Sequence, residues 1–209
     1  MTTTLLTDDE MVALSVGRGQ PWPIALPTVP MGSQTGLRAS ANRGLRSLAV
    51  RDLVDACAAG QPGVGVAIDD LLRATRLSAV TASPAARPDV VVGGGLVFAA
   101  PLGAAEWVCD TFTANGVHSL DRCTAEEAVS RAVALAERAF GDGVVDLAGA
   151  VELGLAMSQQ GKPSRRAVIT RGQLAVMEAV PGDGPDFFEA ISTHTSMDQG
   201  LIAEILGIA

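Results

Sequence analysis

The side chains best suited to nucleophilic catalysis or metal binding belong to Cys109, His118, Cys123 and His194. The first three follow one another at spacings of nine and five residues, wider than the paired ligands of the usual zinc modules. A cysteine beside a histidine can act as a nucleophile, but a cysteine in a protein core is normally inert. We therefore expect no catalytic residue and no metal site among them.

Glycine-containing segments of the chain resemble phosphate-binding loops in part. Gly161-Lys162-Pro163-Ser164 has proline where a Walker loop has Ser or Thr, and Ala156 stands where that loop has its first glycine. Gly63-Val64-Gly65 lacks the third glycine of a dinucleotide-binding loop, since Ile68 occupies its position. Gly93–Gly95 is followed by a strand-like run, so no helix N-terminus would face a phosphate there. We interpret these segments as turns and expect no cofactor.

The acidic clusters of the chain fall at predicted helix starts. A carboxylate in that position stabilises the positive end of the helix dipole, which accounts for it without catalysis. The sequence also contains neither a Gly-x-Ser-x-Gly nor a His-Glu-x-x-His motif. We therefore predict that the protein is not an enzyme. The clusters are Asp8-Asp9-Glu10, Asp69-Asp70 and Glu126-Glu127.

Length and charge limit the remaining function classes. A chain of 209 residues fits a single domain, and no apolar run reaches the ~18 residues of a transmembrane helix. The net charge of −8 disfavours nucleic acid and anionic lipid as partners. Residues 1–7 lack a signal-peptide pattern, and three widely spaced cysteines fit reduced thiols. We expect a cytoplasmic protein that binds neither nucleic acid nor membrane.

Capping patterns and apolar periodicity predict the helices. Thr7-Asp8-Asp9-Glu10 and Thr124-Ala125-Glu126-Glu127 are capping boxes, so helices are predicted to start at both sites. Periodicity of 3.6 residues predicts further helices. These cover residues 37–54, 68–76, 144–157 and 186–209, the last with a break near 196–200.

Alternating apolar patterns and turn signals predict the strands. Gly93–Gly95, Asn115-Gly116 and Arg171-Gly172 are predicted hairpin turns. The first and third of these hairpins are similar, which suggests an internal repeat. We predict an α+β fold, with an antiparallel β-sheet and flanking helices. One domain, 1–209, is expected, and pseudo-two-fold α/β halves, 1–140 and 141–209, remain an open interpretation. The predicted strands are 77–82, 90–92, 96–100, 106–113, 117–120, 166–170 and 173–179.

The C-terminal segment carries an apolar stripe at helical spacing. Packing into the core explains such a stripe, and a groove or helix pair that receives a partner helix is the alternative. The sequence leaves both interpretations open. The stripe consists of Phe187, Phe188, Ile191, Leu201, Ile202, Ile205 and Leu206.

Several segments together resemble the EspG family, the cytosolic chaperones of type VII (ESX) secretion. These segments are Leu6–Leu14, Pro21–Pro23, Arg43–Asp55 and Asp69–Thr75, together with the order of hairpin and capped helix. The resemblance implies a pseudo-two-fold fold with a central antiparallel sheet, and no catalytic residues. It also implies that the protein binds the tip of a PE–PPE heterodimer, keeps it soluble and presents it for export.

The expected function is therefore that of a non-catalytic, protein-binding chaperone. Its mechanism would be to shield an apolar segment of the partner that otherwise aggregates. The exposed apolar residues near the C-terminus are the predicted contacts, namely Phe187, Phe188, Ile191 and Met197.

Two rival hypotheses remain at this point. A winged-helix regulator would have three helices before a hairpin, and its phosphate-facing residues would be Arg38, Arg43, Arg46 and Arg51. A small thiol enzyme would use Cys109 or Cys123, and would have one thiol of lowered pKa.

Overall fold

The computed structural model describes residues 4–23, 26–30, 32–74, 76–81, 94–100, 106–141, 151–153, 165–170, 173–180, 187–195 and 199–205. In this part of the chain, antiparallel sheets and flanking helices form the predicted α+β fold. The helices are α1 (Asp8–Gly17), α2 (Gln34–Val50), α3 (Val64–Arg73), α4 (Ala125–Gly141) and α5 (Gln199–Ile205). The strands are β1 (Leu5–Thr7), β2 (Arg76–Thr81), β3 (Gly95–Ala100), β4 (Trp107–Phe112), β5 (Val117–Cys123), β6 (Val151–Leu153), β7 (Arg165–Thr170), β8 (Gln173–Val180) and β9 (Phe187–His194).

Both predicted capping boxes are confirmed. The Thr7 hydroxyl accepts a hydrogen bond from the Glu10 N–H, and the Glu10 carboxylate accepts one from the Thr7 N–H. Thr124 and Glu127 make the same pair of bonds at the start of α4. These reciprocal bonds satisfy donors that a helix N-terminus otherwise leaves unpaired, which explains why both helices begin where the sequence predicts.

The first sheet has five antiparallel strands in the order β1-β5-β4-β3-β2. β4 and β5 join at the predicted Asn115-Gly116 turn, where Gly116 has a φ of +70°. Glycine adopts this conformation without strain. Phe112 lies opposite His118 in this hairpin, and this register determines which side chains share a face of the sheet.

The prediction that residues 96–100 pair with residues 90–92 in a hairpin is wrong, because β3 pairs with β2 and β4. β3 has β2 on one side, with Val80 opposite Leu96, and β4 on the other. Both edges of β3 are thus occupied, and residues 90–92 lie outside the described residues. Gly94 has a φ of +88°, and a Cβ there would lie 2.5 Å from the carbonyl oxygen of Phe112. Gly94 therefore permits a close backbone approach to the end of β4.

The second sheet has four antiparallel strands in the order β6-β7-β8-β9. Thr170 lies opposite Gln173, which confirms the predicted hairpin around Arg171-Gly172. β9 pairs with β8 along its whole length, from Phe187 to His194. It lies at one edge of the sheet, and β6 lies at the other.

Two predicted helices are wrong where the chain forms strands instead. Within the predicted helix 144–157, residues 151–153 form β6 and pair with β7, and the rest lies outside the described residues. Within the predicted helix 186–209, residues 187–194 form β9, and α5 begins at Gln199. The β9 segment is rich in aromatic and β-branched residues, which suit a pleated sheet. Pairing with β8 therefore outweighs its helical periodicity.

Two apolar cores lie on the two faces of the first sheet. The first core joins one face to α1, α2 and α3 and also includes Trp22, Leu26 and Val29. Its largest fully buried members are Leu6, Met11, Leu48, Ile68 and Leu71. The second core joins the opposite face to α4, β8 and α5. Its members are Leu96, Phe98, Trp107, Cys109, Cys123, Ala128, Ala132, Val133, Leu174, Val176 and Ile202.

In the described part of the chain, β2 to β5 precede α4, and β6 to β9 precede α5. Residues from both of these groups of elements are buried in the second core.

Candidate functional site

β9 forms an open edge of the second sheet. Within the described residues β8 is its one neighbouring strand, so alternate backbone N–H and C=O groups of β9 point away from a sheet partner. Its central residues Glu189, Ala190 and Ile191 are exposed. An edge of eight residues can accept a further strand through backbone hydrogen bonds.

A bulge interrupts β9 at Ile191. Val176 of β8 lies opposite Ser192, and the next residue, Met177, lies opposite Ala190, so Ile191 is the extra residue. A bulge redirects a side chain and increases the local twist of the strand. Because the Ile191 side chain is 51% exposed, the bulge presents an apolar group to solvent at the sheet edge.

The predicted contact residues fall mostly on this strand, but not as a helical stripe. Phe187, Phe188 and Ile191 belong to β9, and Met197 lies outside the described residues. Because β9 is a strand, the helical spacing from which the stripe was predicted does not apply to these residues. Ile202 of α5 is buried in the second core, which favours core packing for that part of the predicted stripe.

The other sheet edges are short or lie beside another element. β1 has three residues, and Arg51 donates a hydrogen bond of 2.6 Å to the Leu5 carbonyl oxygen. β2 and β6, the edges of the first and the second sheet, lie close to each other. In the described part of the chain, β9 is therefore the long edge that stays open.

A buried charged cluster ties the first sheet to α1. The Nε2 atom of His118 lies 2.6 Å from Oδ1 of Asp8, and its Nδ1 atom lies 2.9 Å from Oδ2 of Asp110. All three side chains are almost completely buried. Thr28 donates two hydrogen bonds to Asp8, of 2.6 Å from its N–H and 2.7 Å from its hydroxyl. The cluster thus joins β4, β5, the start of α1 and the segment 26–30.

The geometry of this cluster favours a doubly protonated histidine ring. Burial alone would lower the pKa of His118, but hydrogen bonds to Asp110 and Asp8 outweigh it and raise the pKa to about 9. For Asp8, burial raises the pKa, and hydrogen bonds from His118 and Thr28 outweigh it, so its pKa is lowered. Burial raises the pKa of Asp110. The site is closed to solvent, so its charges hold elements together and do not meet a substrate.

The sequence does not predict this cluster. The helix dipole accounts for Asp8, and no catalytic or metal-binding role is expected of His118. The available signal was the position of Asp110 and His118 on the same face of the β4–β5 hairpin as Val108 and Leu120. Polar groups on an apolar face must find buried partners.

The cysteines are buried in the two cores. Cys109 and Cys123 lie on the α4 side of the first sheet, where their thiols hydrogen-bond to each other. His118 lies on the opposite side, so Cys109 and His118 do not form a nucleophile–base pair. His194 instead has its Nε2 atom 3.0 Å from the hydroxyl of Ser192.

The pKa values of the Cys109 and Cys123 thiols are shifted in opposite directions. The hydrogen bond with Cys109 lowers the pKa of Cys123, whereas the same bond and burial raise the pKa of Cys109. Cys123 is 3% exposed and Cys109 is 0% exposed, so both thiols are closed to solvent. Within the described residues, no three His, Cys, Asp or Glu side chains are grouped as metal ligands would be.

The four arginines of the predicted basic stripe divide into two pairs. Arg43 makes two hydrogen bonds to the Asp9 carboxylate, of 2.7 and 2.9 Å. Arg51 donates to both carboxylate oxygens of the buried Glu10 at 2.8 Å. These two arginines join α2 to α1. Arg38 and Arg46 are exposed on α2 and form no ion pair within the described residues.

None of the helices in the described part of the chain combines the length and hydrophobicity needed to span a bilayer. Comparison with known proteins finds no family model that matches the chain and no curated protein similar to it.

Proposed function

We propose that this protein is a non-catalytic chaperone that binds a partner protein at the β9 edge. The observation that carries the proposal is an eight-residue open edge with an exposed isoleucine at its bulge. The resemblance of Leu6–Leu14, Pro21–Pro23, Arg43–Asp55 and Asp69–Thr75 to EspG segments supplies the partner class, a PE–PPE heterodimer of type VII secretion.

The edge offers two kinds of contact at once. Backbone groups of β9 that have no sheet partner can pair with an extended segment and give affinity. The Ile191 side chain can pack against an apolar residue of that segment, and this burial adds to affinity and excludes water. Such contacts would cover an apolar surface of the partner that otherwise aggregates.

The test is co-expression with PE–PPE pairs of the same genome, followed by size-exclusion chromatography and titration of the purified complex. Ile191→Lys places a charge at the bulge, and we expect it to weaken the complex roughly tenfold or more, the scale of an interface anchor. Because Ile191 is half exposed, the variant should fold normally, which a thermal melt checks.

Val16→Lys is the matched control. Val16 is 59% exposed on α1, so the substitution adds the same charge at similar exposure on another face. The proposal requires that this variant bind like the wild type. Elution of the wild-type protein alone against every pair would overturn the chaperone function, and equal weakening by both variants would overturn the β9 site.

A further inference from the structure

The outer face of α2 is a second surface whose composition points to a partner, independently of the β9 proposal. Its exposed residues include Arg38, Asn42, Leu45, Arg46, Ala49 and Val50. At 100° per residue they fall within an arc of about 140°. The opposite face of the helix carries the buried Ser40, Gly44 and Leu48 against α1.

The charge of this face contrasts with the rest of the chain. α2 contains three arginines and no acidic residue, whereas the chain as a whole has a net charge of −8. Asp9 and Glu10 on α1 form ion pairs with Arg43 and Arg51. Arg38 and Arg46 therefore keep their positive charges free within the described structure.

Two apolar side chains of this face are largely exposed to solvent. Leu45 is 56% exposed and Val50 is 88% exposed, and both lie on the same arc as the two free arginines. Arg38 and Arg46 are eight residues apart, which is about 12 Å along the helix axis. The face thus combines two fixed positive charges with apolar contacts beside them.

We propose that the outer face of α2 binds an acidic amphipathic helix of a partner protein. The carboxylates of that helix would lie about two turns apart, opposite Arg38 and Arg46. Its apolar residues would pack on Leu45 and Val50, in the helix-on-helix mode of peptide recognition. Duplex DNA would meet the charges but leave both apolar side chains without a partner, and the negative chain repels it.

The test uses a fluorescein-labelled helical peptide with two glutamates about two turns apart and leucines between them, measured by fluorescence anisotropy. We expect saturable binding to the full chain. Arg38→Gln/Arg46→Gln should weaken it about tenfold, the scale of two exposed ion pairs. The control Arg73→Gln/Arg122→Gln makes the same change in net charge at exposed sites elsewhere and should bind like the wild type.

A peptide with glutamine in place of both glutamates should bind the wild type as weakly as the original peptide binds the double variant. Equal binding of the original peptide to both double variants, or none to the wild type, would overturn the proposal. So would competition for this face by duplex DNA or by phosphatidylglycerol vesicles. Unchanged circular dichroism of the variants confirms that the comparison concerns folded proteins.

Discussion

His118 joins parts of the first core that are far apart in sequence. Its ring contacts Asp8 at the start of α1 and Asp110 on β4, and it stacks on Phe112 with ring centres 5.5 Å apart. Two buried carboxylates without a cation between them would repel each other and lose their solvation. The charge of this one ring therefore stabilises the packing of α1 on the sheet.

The stability of the protein should fall as the pH rises from about 6.5 to about 9. The folded-state pKa of His118 is about 9, against an ordinary value of 6.5. Between these values the folded protein holds a proton that the unfolded chain has lost, so the free energy of unfolding decreases with pH. Below 6.5 the contribution is fully present. Urea denaturation at a series of pH values measures this slope.

The variant His118→Gln should abolish that slope and lower the free energy of unfolding by ~3–5 kcal/mol, because Asp8 and Asp110 lose their buried partner. Should the variant fail to fold, Thr28→Ala offers a milder change. It removes one hydrogen bond to Asp8 but keeps the imidazole and hence the slope. A wild-type protein whose stability is constant from pH 6.5 to 9 would contradict this account.

The packing of α2 on α1 depends on the absence of a side chain at Gly44. A Cβ there would lie 1.9 Å from the carbonyl oxygen of Asp9. We expect Gly44→Ala to destabilise the protein by ~1–3 kcal/mol, although alanine has the higher helix propensity by ~1 kcal/mol. Gly17→Ala is the control, because a Cβ at the end of α1 meets nothing within 4 Å. If Gly44→Ala were as stable as Gly17→Ala, α1 and α2 could move apart with little loss of stability. That result would contradict the prediction.

Local signals predicted the elements well, and non-local pairing decided the exceptions. The capping residues Thr7 and Thr124 and the turns at Asn115-Gly116 and Arg171-Gly172 act within a few residues, so the sequence reveals them. β9 has apolar residues at helical spacing, and only its pairing with β8 makes it a strand. The open edge and its bulge follow from that pairing, so the sequence predicted a helix where Phe187, Phe188 and Ile191 lie on a strand.

The two halves of the chain should unfold as one unit. Leu174, Val176 and Ile202 from the second half are buried in the same core as Trp107 and α4 from the first. Leu174→Ala should lower the free energy of unfolding by ~2–5 kcal/mol, as for other truncations of buried leucines. It should do so in a single transition, because the described core residues of the second half belong to the shared core.

The two tryptophans allow a direct measurement. Trp22 lies in the first core and Trp107 in the second, so Trp22→Phe leaves a fluorescence reporter of the shared core. In the Trp22→Phe variant, the urea midpoint measured by tryptophan fluorescence should equal the midpoint measured by far-UV circular dichroism. The two midpoints should also be equal when Leu174→Ala is added. Two separate midpoints would mean that the halves are independent domains.

The pairing of β1 with β5 delays folding of the N-terminal segment during synthesis of the chain. Leu6 pairs with His118, and Asp8 and His118 are 110 residues apart. At ordinary elongation rates the ribosome needs roughly 5–20 s to add that length. During this interval Leu6, Met11 and the carboxylate of Asp8 have left the ribosome without their partners on the sheet. The apolar residues of the N-terminal helices therefore stay exposed, and the chain is open to aggregation, until β5 is complete.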